Sequence, residues 1–356
     1  MSRGLRFAFF GSSLVSTWWN GAATYYRGLL RALHARGHQV TFYEPDASGR
    51  QEHRDLQEPG GARVVVYSNN PGSVDECLDD AFGVDVVVKA SGVGAQDAYL
   101  DACVLELRRS GTQVVFWDVS APATLEHVAK DAHHLFRERI PRFDRILTSG
   151  GGAPVVNAYR ELGAKQCVPI YPAVDPDTHH PVAPEPRFAC DLAFLGNRLP
   201  DREARVEACF FQVAQALPHA RMLLGGNGWE DRVVPANVGR LGHVYTQDHN
   251  ALNCSARAVL NLHRDSMARF GFSPSPRVFE AAGAGACLIT DAFEGVERFL
   301  EPGREVLVAR SGEEVAEHVK RLTPEDARRM GQAALRRVLA EHTYAHRALE
   351  VEAALG

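Results

Sequence analysis

Short apolar runs alternate with amphipathic stretches along almost the whole chain. Leu5–Phe10 reads as a buried strand, turned by Gly11, Ser12 and Ser13. Gly21 to Arg36 reads as a helix with Leu29, Leu30 and Leu33 on one face, and Gly37 stands where helices often end in a left-handed residue. Gln39–Tyr43 is the next strand. Further strands are expected near Arg63–Tyr67, Asp85–Lys89, Gln113–Trp117, Arg145–Thr148 and Cys167–Ile170, with helices near Val74–Ala81, Asp97–Ser110 and Val155–Leu162. Strands alternating with helices predict a parallel sheet covered on both faces.

The alternation breaks where Pro172, Pro176, Pro181, Pro184 and Pro186 crowd together, and a domain boundary is expected there. It restarts with strand Cys190–Leu195, helix Arg202–Leu217 and strand Ala220–Leu224. A strand near Arg240–Leu241, a helix near Gln247–Ser255 and strand Ala258–Leu262 follow. Ser275 then suits a helix N-cap and Pro276 the first helical position. Small residues from Ala281 to Ala286 let that helix lie close to a sheet, and Cys287–Thr290 reads as a buried strand ending at Asp291. Strand Glu305–Val308 and helix Gly312–Leu322 complete the second half. Glu325–Leu355 is helical and charged, and either crosses back to the first domain or packs on the second. The pattern predicts an α/β chain of two facing Rossmann-like, doubly wound domains with an interdomain cleft. Residues 1–172 form the first, 173–187 a linker, 188–323 the second, and 324–356 the terminal helices.

Composition adds bounds. A chain of 356 residues with 45% hydrophobic and 23% charged residues is long enough for two ordinary soluble domains. A net charge of −5 implies no general attraction to nucleic acid or membranes. No apolar run approaches the roughly 18 residues of a membrane helix, and Phe7–Phe10 is too short for a signal peptide. The seven cysteines form no C-x-x-C pair and several sit in apolar runs, so reduced core thiols and a cytoplasmic location are expected. The sequence does not fix an oligomeric state.

In doubly wound sheets ligands bind beyond the carboxyl ends of the strands, so polar groups there are the candidates. The Ser275–Pro276 helix start offers free N–H groups to a phosphate, with Arg277 able to reach a diphosphate and Glu280, one turn further, able to hold ribose hydroxyls. The same residues are also compatible with a capped helix carrying an i,i+3 pair. Gly196 ends a strand, and Arg198 and Arg202 either reach the diphosphate from there or solvate the surface. His263 and Arg264 end another strand. Gly11 and Ser12 make a loop against the reacting group or a simple turn. Trp18, Trp19 and Asn20 suggest an aromatic acceptor surface. Asp118 is a base, an acceptor contact or a turn cap. Asp175-Pro176-Asp177 with His179 and His180 could suggest a metal, but a proline-rich stretch is a poor rigid cage, so no metal site is assigned. The Gly11 turn lacks G-x-G-x-x-G, which argues against an NAD enzyme.

Arg277-Val278-Phe279-Glu280, Gly285 and Asp291, on two successive α/β halves, resemble glycosyltransferases of the GT-B architecture. Phe10–Ser13, Trp19–Arg27, Phe42–Asp46, Lys89–Gly92, Trp117-Asp118, Ala121-Pro122 and Thr148–Gly152 resemble the CgeB-like (spore maturation protein) branch. The resemblance implies a nucleotide-diphosphate-sugar donor held mainly by the C-terminal domain, an acceptor on the N-terminal one, and no obligatory metal or other cofactor. Glu280 matches the second glutamate of the E-x7-E pattern of the related family 4 enzymes. The first would fall at Phe272 and is missing, and Asp118 stands where those enzymes often carry histidine. These departures leave the sugar contacts and the retaining or inverting outcome open. Two other functions also stay open: a nucleotide-sugar epimerase, which can share this architecture, and a non-catalytic nucleotide-sugar binder, which the missing glutamate permits.

Overall fold

The computed structural model describes residues 4–131 and 133–356. The chain folds as two compact units. One comprises the residues up to Tyr171 together with Tyr344–Gly356, and the other is Pro172–Thr343.

In the first unit, strands β1 (Arg6–Phe10), β2 (Gln39–Asp46), β3 (Arg63–Ser68), β4 (Val86–Ala90), β5 (Gln113–Asp118), β6 (Arg145–Thr148) and β7 (Cys167–Pro169) form one seven-stranded sheet. Their order is β3-β2-β1-β4-β5-β6-β7, with every pairing parallel. The core is strongly aromatic. Phe9 stacks on Phe42 at 5.2 Å between ring centroids. The buried Trp117 indole donates to Tyr25, whose hydroxyl donates to the Ile170 carbonyl.

The helix Tyr344–Leu355 belongs to this unit. It packs on the helix Ala23–Ala35 through a glycine: a Cβ at Gly28 would lie 2.2 Å from the buried ring of Tyr344. Glu352 ties it down further, pairing with Arg36 at 2.7 Å and His38 at 2.9 Å. Arg347 donates to the Tyr171 carbonyl. Gly28→Ala should therefore destabilise the protein by about 1–3 kcal/mol, although alanine is intrinsically the better helix former. Chemical denaturation checks this, and unchanged or increased stability would contradict the packing described.

In the second unit, β8 (Leu192–Leu195), β9 (Met222–Gly225), β10 (Val238–Gly242), β11 (Val259–Asn261), β12 (Leu288–Asp291) and β13 (Leu307–Ala309) form a six-stranded sheet in the order β10-β9-β8-β11-β12-β13. All its pairings are parallel. Leu192, Phe194, Phe210, Trp229, Leu260 and Ile289 lie in its core. Each sheet thus follows the 3-2-1-4-5-6 order of Rossmann folds, and the first adds a seventh strand.

Some local expectations change. The single helix expected over Arg202–Leu217 contains a π-helical turn at Glu207–Phe211, where the adjacent Phe210 and Phe211 are both buried. The helix expected to reach Ser110 tightens into a 3₁₀ turn at Val104–Leu107. Helices Ala121–Lys130 and Asp265–Phe270 were not anticipated. The proline-rich stretch, read above as a linker, packs as part of the second unit. His179 is buried, and Asn250 donates to the Thr178 carbonyl. The helix Pro324–Glu341 also belongs to the second unit, so only the last helix joins the first.

Candidate active site

Strand order points to a specific edge in each unit. The winding reverses between β1 and β4 in the first sheet and between β8 and β11 in the second, and ligands bind at the carboxyl ends beside such a switch point.

At the switch point of the second unit, the loop after β8 carries Gly196, Arg198 and Arg202. It is built by close backbone approach. Gly196 N donates to the Gly225 carbonyl, the Trp229 indole donates to the Gly196 carbonyl, and a Cβ on Gly226, whose φ is +118°, would meet that carbonyl oxygen at 2.3 Å. Arg198 is turned to Glu203 at 2.6 Å and to Asp231, from the connection after β9, at 3.0 Å. The Glu203 hydrogen bond raises its pKa further. These two acids match the Arg198 charge. Arg264 likewise reaches Asp201 at 2.7 Å.

Arg202 differs. Its guanidinium lies over the Phe194 ring and donates to the Asn197 carbonyl, while its Nε is buried without a hydrogen-bond partner. Burial, reinforced by repulsion from Arg264 and Arg277, lowers its pKa to about 10 although Asp201 and Asp291 oppose the shift. Arg277, on the first turn of the helix Pro276–Gly283, lies 3.3 Å from Glu280, and its Nε and Nη1 are buried without hydrogen-bond partners. Buried guanidiniums with hydrogen-bonding capacity to spare beside a helix N-terminus suit a polyanion.

Ser275 occupies the N-cap position, but its hydroxyl does not cap the helix. It donates instead to Asn261 Oδ1 at 2.6 Å, and Asn261 in turn donates to Thr290. Asn261, a buried amide at the end of an apolar strand, is a site residue the sequence reading missed.

His263 is buried beside Asp291. Its Nδ1 lies 2.6 Å from the carboxylate, its backbone N–H also donates there, and its Nε2 is without a hydrogen-bond partner. Arg205 adds a 3.0 Å contact to Asp291. Burial raises the Asp291 pKa, but His263 and Arg205 outweigh it and the net shift is downward. A depressed carboxylate pKa stabilises the fold above the unfolded value of about 3.9 and loses that contribution as pH falls through the folded value. Asp291→Asn should therefore cost stability at pH 7, with the gap to wild type narrowing below about pH 4. Urea denaturation across that range tests it, and a pH-independent gap would refute the assignment.

Glu280 is buried one turn inside the helix. Two histidines meet it: His179 from the proline-rich stretch and His249 from the helix Thr246–Ser255, with donor atoms of all three groups within 4.8 Å of one another. The sequence reading weighed His179 with Asp175 and Asp177 and assigned no metal site, yet these three side chains are of metal-ligating type. Asp175, by contrast, caps its own turn, accepting from Thr178 and from the Asp177 N–H. Burial lowers both imidazole pKa values, that of His249 to about 3. Phe272, where a first glutamate would fall, has φ +45° and lies against Gly295, at which a Cβ would be 2.2 Å from its ring.

In the first unit, the candidates at the β1 and β5 ends prove to be inward-facing. A Cβ on Gly11 would overlap the Phe42 ring, and Gly11 N donates to the Tyr43 carbonyl. The buried Ser12 hydroxyl donates to Asn20 Oδ1, and Asn20 Nδ2 donates to the Ser13 and Ser16 carbonyls. Asn20 therefore braces the loop instead of presenting itself to an acceptor. Asp118 is fully buried and accepts from the Ser120 N–H, Thr124 and Tyr159. That is a turn-capping carboxylate and not an accessible base. Trp18 stacks on His53 at 3.8 Å, whereas Trp19 is 42% exposed with φ +50°. The missed partners here are Glu44, which accepts from Ser13 and the Leu14 N–H, and Arg50, which donates to the Ser12 carbonyl.

All seven cysteines are free, but only Cys77 and Cys287 are buried. No helix among the described residues is long and apolar enough to cross a membrane.

Residues 202–353 match a family model described as glycosyl transferase-like. No curated protein sequence matches the chain. Among solved structures, the sucrose-phosphate synthase of Thermosynechococcus elongatus is similar at 15% identity and TM-score 0.71, covering 98% of each chain. The Anabaena protein HepE in complex with UDP-glucose is similar at 14% identity and TM-score 0.70, covering 99% of each. An alpha-glucosyltransferase in complex with UDP-glucose and DNA containing an abasic site is similar at 11% identity and TM-score 0.72, again covering 99% of each. The chain has the two-sheet α/β fold of the GT-B glycosyltransferases.

Proposed function

We propose that the protein is a glycosyltransferase of the CgeB-like branch that moves a sugar from a nucleotide-diphosphate donor to an acceptor without an obligatory metal. The observation that carries this reading is the largely buried Arg277 on the first turn of the helix Pro276–Gly283, with Glu280 one helical turn behind it and Arg202 on the loop after β8 at the same switch point. In this reading Glu280 accepts from the ribose hydroxyls. Arg277, Arg202 and the backbone near Ser275 hold the diphosphate. Charge develops on the departing diphosphate, and fixed cationic donors in a partly buried site stabilise it. His263 Nδ1 donates to Asp291, which leaves the unpartnered Nε2 as an acceptor for a hydroxyl of the donor. The exposed Trp19 offers an acceptor-stacking face on the first unit.

Thermal shift and sugar release across a nucleotide-sugar panel, with and without chelator, test the proposal. UDP sugars head the panel because the Anabaena protein and the alpha-glucosyltransferase were solved with UDP or UDP-glucose. A donor at roughly 100 times Kd should add about 2.7 kcal/mol, unaffected by chelator. No shift with any nucleotide or nucleotide sugar would refute the donor site. The phenylalanine at 272 and the sealed Asp118 favour one second reading, a non-catalytic binder. A binder would shift without ever releasing sugar.

A further inference from the structure

We propose that His179, His249 and Glu280 form a binding site for a zinc-class divalent cation within the second unit. The donor atoms already lie within 4.8 Å of one another, and all three side chains are buried. Drawing them onto an ion at about 2.0–2.1 Å takes side-chain rotation, not a new fold. The two imidazoles lie face to face, 5.9 Å apart at 23°.

The hydrogen bonding prepares them to ligate. His249 Nε2 lies 3.3 Å from the Val244 carbonyl. A carbonyl only accepts, so that nitrogen carries the proton and Nδ1 keeps its lone pair. This is the bracing by a second group that metal-ligating histidines commonly show. That Nδ1, like His179 Nε2, is buried without a hydrogen-bond partner. Buried polar nitrogens normally find partners, and a cation would satisfy both at once. Two histidines and a glutamate also make the three-ligand set that zinc uses with its fourth position open. The Arg277 guanidinium opposes the ion, lying 3.3 Å from Glu280.

The site has a consequence for the reading above, and this clause rests on that reading. If Glu280 holds the ribose, a cation on the same carboxylate excludes the nucleotide. The ion would then be an inhibitor of a metal-independent reaction, not a cofactor.

Cobalt(II) tests the site because tetrahedral cobalt absorbs in the visible and zinc does not. The full chain, freed of any affinity tag and of metal, is titrated with cobalt chloride. One equivalent should generate a tetrahedral d–d band, which excess zinc abolishes. His249→Gln and His179→Gln should each lose the band while keeping the wild-type melting temperature in chelator. No band, or a band retained in both variants, overturns the site. UDP added to the cobalt-loaded protein should diminish the band. A band that persists while calorimetry shows UDP bound overturns the exclusion. Absence of UDP binding to the metal-free protein would instead refute the donor reading and leave the cation site standing.

Discussion

Glu280→Gln should weaken nucleotide-sugar binding by roughly 10- to 150-fold. Hydrogen bonds to a charged group contribute about 1.5–3 kcal/mol, and glutamine keeps the shape of glutamate while discarding the charge that ribose hydroxyls donate to. The substitution also frees Arg277, which lies 3.3 Å from Glu280, to interact elsewhere. Because the ribose lies away from the reacting bond, the loss is one of uniform binding, so KM should rise with kcat nearly unchanged. Calorimetric titration with UDP and with a UDP sugar measures the first quantity, and initial rates of sugar release the second. An unchanged Kd would remove Glu280 from the donor site. A drop in kcat alone would move it toward the reacting sugar.

Why the helical position of Glu280 was legible while the partners of Asp118 were not follows from what a sequence encodes. Periodicity and end signals are local. Ser275-Pro276 at a helix start and small residues before a strand define the element, and the element carries Glu280 and Arg277 with it. The strand-helix alternation likewise predicted both parallel sheets. Partners are not local. Asp118 sits at the end of β5, as read, but Tyr159 comes from a helix 41 residues on and closes over it. Asn20 resembled an acceptor contact until its loop folded back and gave it two carbonyls. Arg198 and Arg202 are four positions apart and were read alike. Only the fold shows Glu203 and Asp231 on one, and a ring and other arginines around its neighbour. The same limit hid the pairing of His179 and His249 with Glu280, since three distant segments supply them.

Arg202→Met separates stability from activity most sharply. The arginine is partly buried, repelled by Arg264 and Arg277, and its pKa is lowered to about 10. For a cation, a folded pKa below the unfolded one means that the charged form is disfavoured by folding. That cost is fully present at pH 7 and is relieved only as pH rises toward the unfolded value. Discounted for partial exposure, it is on the order of 1–2 kcal/mol. Methionine keeps much of the aliphatic stem over Phe194 and removes the charge, so the ligand-free variant should be more stable than wild type by about that amount. Turnover should move the other way. Removing one preorganised donor from a developing negative charge costs about 100- to 1,000-fold in kcat, and the variant should also lose most of the stabilisation that UDP gives wild type. Denaturation without ligand and kinetics with the donor found by the panel measure the two effects independently. A variant less stable than wild type with normal turnover would make Arg202 a structural residue. A variant more stable but inactive would show that the protein keeps this costly positive charge for its diphosphate ligand and not for its fold.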